Sequence, residues 1–100
     1  MAVLCVESLK SQLLNPQSIQ VHSIMEATTL PEYPISDLNL VVDYSAQNKL
    51  GGYNRKLMYF NCCKITGEIT MLESDIHFYR RGGVVSTNYL DADLIMSLVD

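Results

Sequence analysis

The chain has 100 residues with eleven acidic and seven basic side chains and a formal charge of −4, a balance that argues against a phosphate-backbone partner, whose grip takes clustered Lys and Arg. A composition that is 48% hydrophobic and 18% charged excludes a compositionally disordered chain, and the length suits one domain over residues 1–100. No apolar run approaches the roughly 20 residues that span a bilayer as a helix.

Residues 2–14 carry helical spacing. Val3, Val6, Leu9 and Leu13 form one stripe, with Glu7, Lys10, Ser11 and Gln12 mostly off it. Asn15-Pro16 stops this helix, because proline disfavours helical dihedrals in the residue before it and lacks an N–H. Residues 19–25 read as a strand with Ile19, Val21, Ser23 and Met25 on one face and Gln20, His22 and Ile24 on the other. Residues 27–37 hold Pro31 and Pro34, show no period and read as a surface connection.

The clearest signal runs from Leu38 to Phe60. Leu38, Leu40, Val42 and Tyr44 alternate with Asn39, Val41 and Asp43, then a Gly51-Gly52 loop leads into a second strand. That strand puts Asn54, Lys56, Met58, Phe60 and Cys62 on one face and Tyr53, Arg55, Leu57, Tyr59 and Asn61 on the other. A turn at residues 65–68 precedes a strand at 68–72, and a further strand is expected over 74–80. Val84 and Val85 suggest another short strand. A last helix follows, with Thr87 or Asn88 as its cap, Asp91 and Asp93 in its first turn, and Leu90, Leu94 and Leu98 on one face.

These elements predict an α+β fold: an N-terminal helix packed on a four- to five-stranded antiparallel sheet, with a short C-terminal helix. The expected core is Val6, Leu9, Leu13, Ile19, Val21, Leu40, Val42, Met58, Phe60, Ile69, Met71, Ile76 and Phe78. The closing helix either covers an end of the sheet or packs beside the first helix.

Chemistry is faint. Cys62 or Cys63 with His22 or His77 and Asp43 supplies the residue types of a cysteine hydrolase, but both cysteines read as mid-strand, with no helix N-terminus or glycine elbow to expose them. Adjacent cysteines lack the spacing of a structural zinc pair. Gly51-Gly52 and Gly82-Gly83 lack the Lys-Ser or Lys-Thr of a phosphate loop and read as turn glycines. Arg80, Arg81 and Tyr79, with Arg55 and Lys56, read as a solvated strand end rather than a nucleic-acid grip. No enzyme, cofactor or metal is expected.

The odd number of cysteines, Cys5, Cys62 and Cys63, excludes a fully paired disulfide framework within one chain. Their expected role is as reduced, small apolar packers. That suits a reducing, cytoplasmic setting, or an extracytoplasmic one if an upstream leader was removed. The apolar residues 1–6 are too short, and lack a preceding basic residue, to be a signal peptide.

The strongest surface signal is the second face of the sheet. With the helix over Met58 and Phe60, residues His22, Val41, Tyr53, Arg55, Leu57, Tyr59 and Tyr79 face the other way. Contiguous apolar and aromatic surface marks interfaces. The expected function is therefore a non-catalytic protein-interaction module that self-associates as a homodimer. Its binding candidates are Tyr53, Arg55, Leu57, Tyr59, Tyr79 and His22. The alternative is a small-ligand-binding domain with a pocket between helix and sheet.

Residues 9–18, LKSQLLNPQS, and residues 43–55, DYSAQNKLGGYNR, together resemble a small bacterial domain of unknown function. Such domains look like a helix with a K-N-P-x-S-type stop followed by a hairpin of D-A-Q-N-x-x-G-x-x-x-R type. They occur alone or behind a membrane anchor, lipoprotein leader or zinc ribbon. The likeness covers residues 9–60, and Leu14 stands where a basic residue is common. It implies a bacterial or phage accessory domain and brings no activity, ligand or catalytic residue. The hairpin residues read as a loop-shaping device: Gln47 and Asn48 bond loop backbone, and Arg55 reaches Asp43.

Overall fold

The computed structural model describes residues 2–27, 37–74 and 86–99. Helix α1 spans Ala2–Ser11, strand β1 Gln20–Ala27, β2 Leu38–Gln47, β3 Tyr53–Cys62, β4 Ile69–Ser74, β5 Ser86–Tyr89 and helix α2 Ala92–Ser97. The strands form one antiparallel sheet in the order β4-β3-β2-β1-β5. The expected α+β arrangement of a leading helix, an antiparallel sheet and a short closing helix is what the chain adopts.

Helix α1 is one turn shorter than its apolar stripe suggests. Gln12 N–H donates to Leu9 C=O and Leu13 N–H to Lys10 C=O, both at 3.1 Å, so the chain tightens to i→i+3 bonds before Asn15-Pro16. Pro16–Ser18 then forms a 3₁₀ turn. The helix buries Cys5, Val6 and Leu9 against one face of the sheet. There they meet Ile24 of β1, Leu40, Val42 and Tyr44 of β2, and Met58, Phe60 and Cys62 of β3. Burying a Val, Leu, Ile, Phe or Met side chain contributes about 1.5–3 kcal/mol, so this layer is the main source of stability. Leu13, Ile19, Val21, Ile69 and Met71 pack around it, while Ile76 and Phe78 lie outside the described residues.

The β2–β3 pairing is unbroken from Leu38↔Cys62 to Gln47↔Tyr53, which fixes which residues share a face. Strand β1 is different. Val21 pairs with Tyr44 and Ser23 with Asp43, so His22 is an extra residue in a β-bulge. The bulge shifts the alternation. Val21 and Ile24 both join the helix side, and Met25 turns to the opposite face. The single face expected for Ile19, Val21, Ser23 and Met25 is therefore corrected by the bulge.

The last strand pairs with β1 at Met25↔Tyr89, Glu26↔Asn88 and Ala27↔Ser86. The strand expected over 74–80 and the one at Val84 and Val85 lie almost wholly outside the described residues. Asp91 caps α2, its Oδ1 accepting from Leu94 N–H at 3.1 Å, in place of Thr87 or Asn88. The helix packs against α1 and β1. Ile95, Met96 and Val99 join the core, whereas Leu94 and Leu98 are exposed, so the inward face is not the expected Leu90-Leu94-Leu98 stripe. Leu90 alone of that stripe packs inward; it stands before the Asp91 cap, outside the helix, its N–H donating to Ile24 C=O at 2.8 Å as a continuation of the β5–β1 pairing.

Candidate functional site

The sheet face opposite α1 divides along the length of the β2–β3 ladder. Its far half is closed. Met25, Val41 and Tyr59 cluster there, with Tyr59 only 1% exposed. Tyr59 Oη donates to Asn39 Oδ1 at 2.7 Å, and Asn61 Nδ2 donates to the same oxygen at 2.9 Å. Asn39 and Asn61 sit directly opposite one another in the ladder and both are buried. Every buried side-chain polar atom among the described residues has a partner, as burial requires. Tyr59 is thus a core residue and not part of an open patch, which corrects its expected exposure. Alternation assigns a side chain to a face but cannot report what lies over it.

The hairpin half is open. Tyr53, Arg55 and Leu57 occupy alternate positions of β3, so they project from the same face. Across from them on β2 stand Gln47, Ser45 and Asp43. Tyr53 is 53% exposed, and Leu57 is half-buried where the open region meets the closed one. Arg55 reaches diagonally to Asp43 with two parallel bonds, Nε to Oδ1 at 2.9 Å and Nη2 to Oδ2 at 2.7 Å. The bonds to the Asp43 carboxylate, then its charge, hold the guanidinium proton more tightly still. The Arg55 side chain is largely exposed and that of Asp43 mostly covered, so the aspartate fixes an arginine that remains presented to solvent. His22, carried outward on its bulge, shares a 2.7 Å hydrogen bond between its Nε2 and Ser45 Oγ. Of the six binding candidates, Tyr53, Arg55, Leu57 and His22 converge here. Tyr59 lies in the closed half, and Tyr79 lies outside the described residues.

The loop that ends this surface is shaped by Asn48. Its Oδ1 accepts from Leu50 N–H at 3.0 Å and from Gly52 N–H at 3.1 Å, while Gly51 adopts φ +86°, which favours glycine. Gln47 ties the loop to the chain after α1. Its Oε1 accepts from Asn15 Nδ2 at 2.9 Å, its N–H donates to Ser18 Oγ at 2.9 Å, and its Nε2 donates to Gly51 C=O at 3.2 Å. The Asn-Pro stop and the Gln-Asn hairpin touch each other here. Neither Asn15 nor Ser18 stood out in the sequence as a partner of Gln47, because their contact spans about 30 residues of intervening chain with no periodic signal.

The hydrolase grouping does not assemble from the described residues. Cys62 lies seven strand positions from Arg55, about 23 Å along β3, and His22 sits near the Arg55 end. Asp43 is engaged by Arg55. His77, Arg80 and Arg81 lie outside the described residues. Only Cys62 ends a strand; Cys63 follows it in the β3–β4 turn, where its N–H donates to Glu68 C=O at 2.8 Å. The expected mid-strand position of both cysteines is corrected accordingly. Its thiol is held below the ordinary range by hydrogen bonds, first from the Thr66 side chain and then from the Thr66 and Ile65 backbone. Burial pushes the thiols of Cys5 and Cys62 the other way, upward. Among the described residues, no three His, Cys, Asp or Glu side chains gather as a metal-binding group, and no helix is long and apolar enough to cross a membrane. No protein-family model, curated protein or solved structure matches the chain.

Proposed function

We propose that this chain is a non-catalytic protein-interaction module that binds a second copy of itself through the hairpin half of the sheet face. The observation that carries the reading is the presentation of Tyr53, Arg55 and Leu57 from alternate positions of one strand, with His22 beside them. Tyrosine and arginine are, with tryptophan, the residue types enriched among interface anchors. Arg55 is already held by Asp43, so less side-chain freedom is lost when a partner docks. A two-fold interface must be self-complementary, and this patch carries both members of a cation–carboxylate pair. A small-ligand pocket between helix and sheet gains less support, since Cys5, Val6 and Leu9 fill that layer against Leu40, Val42 and Phe60.

Light scattering of the wild-type chain and of the Tyr53→Glu, Arg55→Glu double variant tests the reading. Both positions are exposed, so the variant keeps its core. The expected result is a dimer mass for the wild type and a single-chain mass for the variant. A wild type that runs at single-chain mass up to high micromolar concentration rejects self-association.

A further inference from the structure

The described part of the molecule holds two sulfurs in contact at its centre. Cys5 Sγ on α1 and Cys62 Sγ at the end of β3 lie 3.5 Å apart, both free thiols, both at most 1% exposed. A disulfide requires the two sulfurs to approach by only about 1.5 Å more. Their residues are 57 positions apart in sequence, and they join the only long described helix to the sheet it covers. We propose that Cys5 and Cys62 are an oxidisable pair, and that a hydroperoxide converts them into a disulfide that tethers α1 to β3.

The reaction balances. One cysteine sulfur, as thiolate, attacks a peroxide oxygen; the O–O bond breaks, and with hydrogen peroxide the leaving hydroxide takes the released proton as water. The second sulfur attacks the sulfenic acid so formed, the S–O bond breaks, and a second water leaves with the remaining proton. Two thiols are oxidised and one peroxide is reduced. Burial keeps both thiols protonated and slow, so the reaction proceeds when α1 lifts transiently from the sheet. The helix is held on this face by three buried side chains, one of them Cys5 itself. Once formed, the bond prevents that lifting. Cys63 is the more accessible thiol, but it points away from the pair into the β3–β4 turn and is the internal control.

The test treats folded wild-type chain and a Cys63→Ser variant with hydrogen peroxide, then alkylates free thiols under denaturing conditions and maps peptides without reduction. The proposal expects a Cys5–Cys62 cross-link in both proteins, a mass lower by two hydrogen atoms in the cross-linked chain, and reversal by dithiothreitol. The closed loop should raise the melting temperature on the order of 10 °C. A Cys5→Ala variant should lose the cross-link and the rise; if it fails to fold, the wild-type peptide map alone decides. Alkylated Cys5 and Cys62 after peroxide, a Cys62–Cys63 link, or linkage only between chains through Cys63 each overturns the proposal.

Discussion

Asn15 and Gln47, 32 residues apart, join the end of the first helical segment to the hairpin loop through a 2.9 Å bond from Asn15 Nδ2 to Gln47 Oε1. Ser18 adds a second tie, its Oγ accepting from the Gln47 backbone while donating to Asn15 C=O at 2.7 Å. The proline that ends the helix thereby also places the segment that steadies the candidate surface. Tyr53 is directly opposite Gln47 in the ladder, so loop geometry and the presentation of that ring are mechanically linked.

Gln47→Ala removes the bonds to Asn15 Nδ2 and Gly51 C=O but keeps the backbone tie to Ser18. Each of these two exposed hydrogen bonds contributes at most about 0.5–1.5 kcal/mol, so the expected loss is roughly 1–3 kcal/mol. Urea unfolding followed by circular dichroism measures it. A midpoint unchanged from wild type would show that these ties add nothing.

Tyr59→Phe tests the closed half of the sheet face. The ring stays, and Asn39 Oδ1 keeps its bond from Asn61, so the expected cost is about 1 kcal/mol. Tyr59→Ala also leaves a cavity beside Met25 and Val41 and costs about 3–5 kcal/mol. A tyrosine serving mainly as an exposed binding residue would show the reverse: near-wild-type stability for alanine and weakened association.

Asp91→Ala removes the single side-chain cap of α2, with an expected loss of about 0.5–2 kcal/mol. Because that helix packs on α1 and β1, hydrogen exchange should quicken at the α2 amides first. Asp91→Asn retains an accepting oxygen and should restore most of the loss.

The central hairpin was legible because both of its faces obey a period of two over ten residues, and Gly51 marks the turn between them. The core positions Leu40, Val42, Met58 and Phe60 follow from that period, as do Val6 and Leu9 from the helical one. Three features escaped for physical reasons. The bulge at His22 depends on pairing with β2, which local sequence does not encode, and it moves Ile24 into the core. The strand at Ser86–Tyr89 is short and polar and owes its existence to the edge of β1. The burial of Tyr59 depends on what covers the second face; the signal that was available is the pair of asparagines flanking it among apolar neighbours, since such groups are buried only with partners. Of the candidate surface, the Arg55–Asp43 pair was readable as a cross-hairpin charge match, whereas the His22–Ser45 bond required the bulge.

The buried thiol pair makes stability depend on alkaline pH, with a sign that can be worked out. Cys5 and Cys62 both titrate above their ordinary range when folded, burial being the first cause for each. In the unfolded chain they ionise near pH 8.5. Between that pH and their folded values the unfolded state binds fewer protons, so stability falls as pH rises. Each thiol contributes a slope of up to about 1.4 kcal/mol per pH unit in that window and none well below it. Cys63 acts in a different window: its folded thiol is held low, so its favourable contribution builds up below the unfolded value of about 8.5 and adds no slope above it. Under reducing conditions, denaturant unfolding from pH 9 to 10 should therefore show a decline in Cys63→Ser as steep as in wild type, and a shallower one in Cys5→Ala. The peroxide-treated chain has no Cys5 or Cys62 thiol left to ionise if the pair has closed, and its stability should lose this part of the pH dependence. A reduced wild type whose stability is flat across the same range would mean that solvent reaches the two sulfurs in the folded chain.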